Sequence, residues 1–507
     1  MKRPTYSSLL LSIAVITASL AIGVPAIAQT PVRVVVAMNF SPASLNPTVG
    51  NIGWNTIQMG LGETLVRVTR AGGVEPWIAT NYRQVDRRTW EINIRTNVTF
   101  HDGRKLDATA TAASLRDSVA KLPTAASLLD IETATAVDAD TVRIVTKTPN
   151  PALWNNLAHL TTVIHDVSQS AEDAATKPNL TGPFSVGSFK KDVSLAVKKY
   201  LKYWGSPAKV DEVEIRFLPD ANTRTAALLA GDVDLAYQIP VQSVDAVKKA
   251  GLTVKSVTTG YLYFLIVNTA RPQFSDPDVR RALSMAIDRT TLADKVMLGT
   301  ATPADGAIAA LFPFGLSDGG TDFDPGAANR ILANAGWDRE GNGTREKDGQ
   351  KLKATLLTYP QRPDLTPLAV AIQSQWKAVG VDVDIRSSND INGDLNRGFD
   401  VAMYAQNTAP TADPGAFLGG HFRAGGANNW SKYANSSVTK QLDDLDATSD
   451  PTVRTAKAKV IQFIVRDDAP EIPLLLPKFN IGLSKRLASY DPFPSDYYVV
   501  TNDLRVN

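Results

Sequence analysis

A polar and aromatic loop in the last quarter of the chain carries the residue types best suited to binding a small molecule. It follows an apolar run that predicts a strand, and open α/β sheets bind ligands at the carboxyl ends of their strands. Aromatic walls would exclude water there, while amides, charges and an imidazole would orient a solute. The candidate binding residues in and beyond this loop are Tyr404, Asn407, Asp413, His421, Arg423 and Trp430.

Some of these residues have an equally good structural explanation. Asp413 precedes a helical pattern and is a suitable cap for it, and Trp430 is a suitable packing residue. Trp54 follows the loop at Asn46-Pro47 and is a candidate for an opposing aromatic wall, with a position in the core as its alternative.

Patterns that would indicate catalysis are weak in this chain. Residues 315–319 satisfy G-x-S-x-G, so a secreted serine hydrolase using Ser317 is the alternative from another class of protein. A nucleophile elbow needs a strand before it and a helix directly after it, whereas Pro313 and a glycine-rich stretch flank this serine, which favours a surface loop. We therefore expect no catalytic residue and no cofactor.

A short acidic stretch also imitates a calcium loop. Residues 338–343 resemble its first half, but Gly349 stands where the loop needs a bidentate glutamate. The pattern favours a polar hairpin instead.

The first 30 residues predict export from the cytoplasm. Lys2 and Arg3 precede an apolar run over 9–24, and small residues then mark a cleavage site after Ala28. Cleavage removes two of the 53 basic residues and leaves 51 against 51 acidic ones, which argues against a nucleic-acid partner. The chain has no cysteine, so neither a disulfide nor a lipid-modified cysteine is possible. A soluble periplasmic protein without a lipid anchor is expected.

The stretch 258–299 predicts the elements that would position the loop. Tyr261–Val267 is an unbroken apolar and aromatic run, which is typical of a strand buried on both faces. Asp276 and Pro277 then mark a helix start, and apolar residues recur after them at helical spacing. Strand and helix patterns continue to alternate further along, which predicts α/β sheets.

The same stretch resembles a known family. Asn268, Pro272, Phe274, Asp276 and the run 279–289 (VRRALSMAIDR) are similar to the signature of extracytoplasmic solute-binding proteins of ABC importers. The branch concerned is the peptide and nickel family, of the family 5 type. Further matching blocks follow in the family's order over nearly the whole mature chain, at 63–65, 98–103, 203–204 and 231–234.

This resemblance implies an α/β, two-lobe periplasmic binding protein fold, with mixed sheets, flanking helices and an extra subdomain inserted in the first lobe. The expected division is a signal peptide over 1–28, lobe I over 29–262 plus 482–507 with the subdomain at about 57–180, and lobe II over 263–481. A solute that touches both lobes favours the closed form. The expected partners are that solute and an ABC permease complex in the inner membrane, with the protein itself a monomer.

The identity of the solute stays open at this point. The peptide-binding branch holds the peptide's amine with an Asp at the position of Pro410, which has no charge. The nickel branch uses an Arg in the region matching 153–165, where this chain has none, and a His beyond the Asp-Pro motif. The expected function is peptide transport or capture of a related small solute. A nickel or other metal-chelate carrier that depends on His421 is the alternative.

Overall fold

Two mixed β-sheets that share one long strand form the centre of the computed structural model, which describes residues 30–507 together with Met1, Lys2 and Pro4. The predicted signal peptide therefore lies outside the described residues apart from those three. Residues 32–507 form one compact unit. In the described part of the chain, no helix combines the length and the apolar character that crossing a bilayer would require.

Apart from the last, the strands are mostly short, and helices or turns separate most of them. They are β1 Arg33–Met38, β2 Val66–Val68, β3 Val74–Pro76, β4 Ala79–Gln84, β5 Thr89–Ile94, β6 Ile131–Ala136, β7 Thr141–Thr146, β8 Phe184–Lys190, β9 Ser194–Lys199, β10 Glu212–Phe217, β11 Leu235–Ala236, β12 Thr253–Thr258, β13 Tyr261–Val267, β14 Ala301–Pro303, β15 Glu346–Lys347, β16 Gln350–Lys351, β17 Lys353–Thr358, β18 Asp382–Ser387, β19 Val401–Asn407 and β20 Glu471–Leu483.

The helices flank these strands. They are α1 Ile52–Gln58, α2 Ala108–Lys121, α3 Pro123–Leu129, α4 Leu153–Asn156, α5 Ala171–Thr176, α6 Ala221–Ala230, α7 Val244–Lys249, α8 Pro277–Met285, α9 Arg289–Thr291, α10 Pro325–Asn334, α11 Leu365–Ala378, α12 Ile391–Arg397, α13 Pro414–Phe422, α14 Ser436–Asp446 and α15 Pro451–Asp468.

The first sheet has the order β20-β11-β1-β10-β9-β8, with β12 also paired to β20. Strand β1 runs parallel to both β10 and β11, so their carboxyl ends lie at the same edge. The second sheet has the order β18-β17-β19-β13-β20, in which β17 runs parallel to β18 and β19. Polar residues that follow β1, β11, β17 and β19 are thereby brought to the edges where such sheets bind ligands.

Strand β20 belongs to both sheets. Its first residues pair with β13 in the second sheet, and residues 478–483 pair with β12 in the first. The chain also passes between the sheets at the junction of β12 and β13. A Cβ atom on Gly260 there would lie 2.9 Å from Asn407 Oδ1 and from the ring of Phe312, so any larger residue would force these side chains to move.

A separate antiparallel sheet has the order β4-β5-β7-β6 and its own apolar core beneath α2. It falls within the range predicted for the inserted subdomain. Mixed sheets with flanking helices confirm the predicted α/β class, while the exact lobe boundaries stay a prediction.

The stretch 258–299 folds as predicted. All seven residues of β13 are buried, because β19 and β20 pair with its two edges and its side chains pack in the main apolar core. The side chain of Asp276 accepts a hydrogen bond from the backbone N–H of Asp278 and so caps α8, with Pro277 as the first helical residue.

The two pattern matches that suggested other chemistry have ordinary structures. Ser317 is exposed on an irregular loop between β14 and α10, without the strand and helix that a nucleophile elbow requires. The calcium-like stretch leads into the β15–β16 hairpin, which confirms the predicted polar hairpin.

Glu63, in the loop between α1 and β2, gives the folded protein a pH dependence. It is fully buried and accepts hydrogen bonds from Tyr203 Oη (2.8 Å) and Trp204 Nε1 (2.9 Å). Burial raises the pKa of Glu63 to about 7, despite these hydrogen bonds, from an ordinary value of about 4.5. The folded chain therefore binds this proton more tightly than the unfolded chain does.

We expect the protonated Glu63 side chain to stabilise the folded protein fully below pH 4.5, and this contribution to be lost as the pH rises to about 7. The change in the free energy of unfolding should reach up to about 3 kcal/mol. Urea unfolding of wild type and Glu63→Gln from pH 4.5 to 8 measures it as the difference between the two proteins. A difference that stays constant over this range would contradict the prediction.

Candidate solute-binding site

A buried arginine lies where elements of both sheets meet. Arg362, in the loop between β17 and α11, is only 3% exposed, and its Nη2 lies 3.1 Å from a carboxylate oxygen of Asp496. Asp496 comes from the C-terminal segment and also accepts a hydrogen bond of 2.6 Å from Tyr261 Oη. A buried ion pair of this kind joins the second sheet to the end of the chain.

Aromatic rings surround the guanidinium group of Arg362. Its central carbon lies 5.2 Å from the ring centre of Phe40, 4.9 Å from that of Tyr261 and 5.3 Å from that of Phe479. Burial disfavours the charged form, yet the oxygens of Tyr261 and Asp496 outweigh it and hold the pKa of Arg362 above its ordinary value. The group therefore carries a fixed positive charge in a water-poor environment.

Three further residues extend this group into what we call the arginine cluster. Asn39 directly follows β1 and donates hydrogen bonds to Gln238 Oε1 (2.7 Å) and to the backbone oxygen of Gln361 (3.0 Å). Trp54, on α1, packs edge-on against Phe40 with 5.2 Å between ring centres. The arginine cluster consists of Asn39, Phe40, Trp54, Gln238, Tyr261, Arg362, Phe479 and Asp496.

Several buried polar atoms of the arginine cluster have no hydrogen-bond partner among the residues that the structure describes. They are Nε and Nη1 of Arg362, Nε1 of Trp54, Nε2 of Gln238 and Oδ1 of Asn39. Leaving such atoms without a partner costs about 1–3 kcal/mol each, and more for a charged group. Gln238 is also held at φ +51°, a conformation that few non-glycine residues adopt. Four of the five atoms are donors, so the cluster suits a ligand that offers oxygen acceptors.

A cavity of about 360 Å³ lies beside β19. One wall comes from residues 124–159, around α3 and α4, and the other from residues 406–454, around α13 and α14. We call it the cleft cavity. Gln406, near the end of β19, lines the cavity. Pro410 also lines the cleft cavity.

The structure brings three of the predicted binding residues together. Trp430 lies 5.3 Å from the ring of Tyr404 and 5.8 Å from that of His421. His421 is fully buried, with Nδ1 2.8 Å from Glu471 Oε1 and Nε2 3.2 Å from Gln406 Oε1. Both ring nitrogens of His421 therefore have hydrogen-bond partners within the protein. Gln406, one of these partners, also lines the cleft cavity.

The two predicted charged residues line the cleft cavity and are paired. Asp413 accepts hydrogen bonds from the backbone N–H of Gly415 and from the guanidinium of Arg454 (2.6–3.0 Å). The alternative that Asp413 caps the following helix, α13, is therefore confirmed. Arg423 forms ion pairs with Asp443 and with Asp446, the latter at 2.7 Å. Contacts of either residue with a solute stay a prediction.

The remaining predicted residues fall near the arginine cluster. Trp54 belongs to it, and Asn407 is buried at the end of β19, where its Oδ1 accepts a hydrogen bond from the backbone N–H of Ala409. Sequence reasoning missed Arg362 and Asp496. The sequence signal for Arg362 was its position as a basic residue in the loop after a buried strand. The local sequence around Asp496 gives no such signal.

Two mixed sheets that share a strand, with polar side chains gathered at the carboxyl ends of their strands, define a two-lobe solute-binding protein. Residues 73–429 match the bacterial extracellular solute-binding proteins, family 5, middle region, and the chain belongs to this family. The resemblance seen in the sequence is thereby confirmed. Members act as extracytoplasmic solute-binding components of ABC importers and not as enzymes. A transport function is therefore supported over the alternative of a secreted serine hydrolase.

Relatives of known specificity match most of the chain. The nickel-binding protein NikA of Staphylococcus aureus is 26% identical over 88% of this chain and 89% of its own. Its crystal structure with Ni(L-His)2 has a TM-score of 0.86 and covers 94% of this chain and 100% of that one. The glutathione-binding protein GsiB of Shigella dysenteriae is 26% identical over 97% of both chains. A nickel ABC transporter structure from Bacillus halodurans is 31% identical, with a TM-score of 0.70 and coverage of 94% and 100%.

Proposed function

We propose that this protein captures a small solute that carries at least one carboxylate group, and that Arg362 binds this group. The observation that carries the proposal is the buried guanidinium of Arg362, two of whose nitrogens lack a hydrogen-bond partner among residues 30–507. A carboxylate oxygen is the acceptor that forms the strongest hydrogen bonds with such donors. The pairing with Asp496 uses Nη2 of Arg362 and leaves Nε and Nη1 available.

Known specificities in the family support this chemistry. Glutathione, named for GsiB, and the L-histidine of the NikA complex both carry carboxylate groups. The arginine cluster also supplies aromatic rings and neutral donors, which suits an organic solute of peptide-like or amino-acid character.

Isothermal titration with a panel of probes tests the proposal. The panel consists of triglycine, glutathione and L-histidine with and without nickel(II), each compared with a form whose carboxylates are converted to amides. We expect at least one probe to bind and its amide to bind at least a hundredfold more weakly. Equal affinity of the acid and amide forms would contradict the proposal.

Trp54→Phe tests the neutral donor in the arginine cluster. Phenylalanine keeps a ring against Phe40 but removes the indole N–H, whose loss should weaken solute binding about tenfold at little cost in stability. Trp90→Phe is a matched control, because Trp90 Nε1 also lacks a partner in the described chain but lies in the separate sheet, on β5. Titration of both variants with the same probe should show a loss only for Trp54→Phe, and equal affinities would argue against a solute contact.

A metal chelate is the second candidate solute, and one observation favours it. His159 lines the cleft cavity, and burial lowers its pKa to about 4, so its imidazole is neutral and able to bind a metal at physiological pH. We propose His159 for this role in place of His421, whose nitrogens are engaged by Glu471 and Gln406. Binding of nickel with L-histidine that is lost in His159→Ala, beside unchanged binding of glutathione, would identify the chelate.

The remaining expectations belong to the same proposal. The protein would be a periplasmic monomer released by cleavage after residue 28, with no lipid anchor and no nucleic-acid partner. Lobe I would span 29–262 and 482–507, with its subdomain at about 57–180, and lobe II would span 263–481. The first sheet, the separate sheet and the second sheet would then be the cores of lobe I, its subdomain and lobe II.

A further inference from the structure

We infer that the side chain of Asn155 is a latch that holds the two walls of the cleft cavity together even when no solute is bound. This inference goes beyond the proposed function and does not depend on which solute the protein captures. Three observations carry it: the contact that Asn155 makes across the cavity, the separate apolar cores behind the two walls, and the position of Asn155 outside the cavity lining.

Asn155 joins the two walls by a hydrogen bond. It lies on α4, in the first wall, and its Nδ2 donates to the backbone oxygen of Thr411 at 3.1 Å, with the oxygen of Ala412 as a second acceptor at 3.5 Å. Thr411 and Ala412 belong to the loop between β19 and α13, in the second wall. Because carbonyl oxygens only accept, the amide has to present its nitrogen to them. Among the residues that the structure describes, no other hydrogen bond or ion pair joins 124–159 to 406–454.

The two walls are anchored in different apolar cores. Leu153 and Leu157, which flank Asn155 on the first wall, are buried in the core of the separate sheet. Phe417 and Leu418, on α13, are buried in a core that α13, α14 and α15 share. In the described part of the chain these two cores have no residue in common. The walls can therefore move apart while both cores stay intact, and the hydrogen bond of Asn155 acts on this movement.

The latch lies beside the solute and not against it. Pro410 and Asp413 line the cleft cavity, whereas Thr411 and Ala412 between them do not, and neither does Asn155. A solute in the cavity would thus leave the hydrogen bond of Asn155 in place. We therefore assign Asn155 a positioning role, in which it brings the walls together without touching the solute.

Two features of the loop oppose the latch and limit its strength. Ala412 is held at φ +54°, a left-handed conformation that is unfavourable for a residue with a Cβ atom. The hydroxyl of Thr411 is buried without a partner among the described residues, which is also unfavourable. The latch has to offset both, so it holds the walls together reversibly. Its expected strength is that of one neutral hydrogen bond, about fivefold in an equilibrium constant.

Distances between two spin labels on the full-length mature protein test the inference without any solute. The chain has no cysteine, so Thr133→Cys and Ser437→Cys add one label behind each wall, at exposed positions on β6 and α14. We expect double electron–electron resonance to show a shorter and a longer distance population, with the walls joined in the shorter one. Asn155→Ala should lower the ratio of the shorter to the longer population about fivefold.

Two further variants separate the latch from a general structural role. Asn155→Asp keeps the shape of the side chain but places a carboxylate against two backbone oxygens, so the ratio should fall at least as far as in Asn155→Ala. Asn93→Ala is the matched control. Asn93 is also a half-buried asparagine, and its Nδ2 donates to Thr141 Oγ1 at 2.9 Å, but within the separate sheet. Its ratio should stay within twofold of wild type.

Several outcomes would overturn the inference. They are a single distance population in wild type, a ratio in Asn155→Ala within twofold of wild type, and an equal fall in Asn93→Ala. A wild-type ratio in Asn155→Asp would overturn it too, and this variant decides the result if Asn155→Ala does not fold. Because no solute is added, these measurements stand even if every probe of the carboxylate proposal fails to bind.

Discussion

Replacing Arg362 by alanine is expected to weaken solute binding by at least a hundredfold and to lower the free energy of unfolding by about 3–5 kcal/mol. The first effect follows because hydrogen bonds between charged groups contribute about 1.5–3 kcal/mol each and two nitrogens of Arg362 are free to make them. The second follows because Asp496, which is 1% exposed, would keep a buried charge without its partner. Titration and urea unfolding measure the two effects separately.

A double variant distinguishes the roles of the two partners. Adding Asp496→Asn to Arg362→Ala removes the uncompensated charge and keeps an acceptor for Tyr261, so part of the lost stability should return. Solute affinity should not return. Arg33→Ala is the control, because Arg33 pairs with Glu214 but is 53% exposed, so its loss should cost less than about 1 kcal/mol and leave affinity unchanged. Equal effects of Arg33→Ala and Arg362→Ala would contradict this account.

Replacing Asp413 by alanine is expected to destabilise the protein by about 3–5 kcal/mol, the second largest effect. Asp413 and Arg454 are both buried and joined by three hydrogen bonds, so the substitution leaves a buried guanidinium unpaired. It also removes the cap of α13, which contributes about 1 kcal/mol. Urea unfolding monitored by circular dichroism measures the loss.

Two variants bracket this result. Asp413→Asn keeps an oxygen for the cap and loses the charge, so it should fall between wild type and Asp413→Ala. Asp443→Ala breaks a pair with Arg423 in which Asp443 is 63% exposed, and it should cost less than about 1 kcal/mol. A loss of that small size for Asp413→Ala would show that the buried pair contributes little.

The parts of the fold that were predicted correctly are those whose cause is local. Seven consecutive apolar residues at Tyr261–Val267, most of them aromatic or β-branched, favour a strand covered on both faces, and they form one. Asp276 followed by Pro277 starts a helix because capping needs only the next turn of the chain. The hairpin at 346–351 follows from turn residues in the same way.

The site could not be predicted to the same extent, because its contacts join distant parts of the chain. Arg362 and Asp496 are 134 residues apart, and nothing near either residue indicates that both are buried. His421 is predicted to contact a solute, and that contact stays a prediction. Its Nδ1 lies against Glu471, 50 residues away on β20, and only the folded chain brings these two side chains together. The sequence predicts aromatic packing around Trp430, but it does not show which residue forms an ion pair with each charged side chain.

Native mass spectrometry of gently purified mature protein tests the central claim most directly, because it detects a captured solute of any chemical identity. We predict one bound small molecule per chain, which on release has an unaltered mass, carries a carboxylate group and is missing from the Arg362→Ala protein. A bound molecule without any carboxylate, or one retained equally by wild type and Arg362→Ala, would contradict the account.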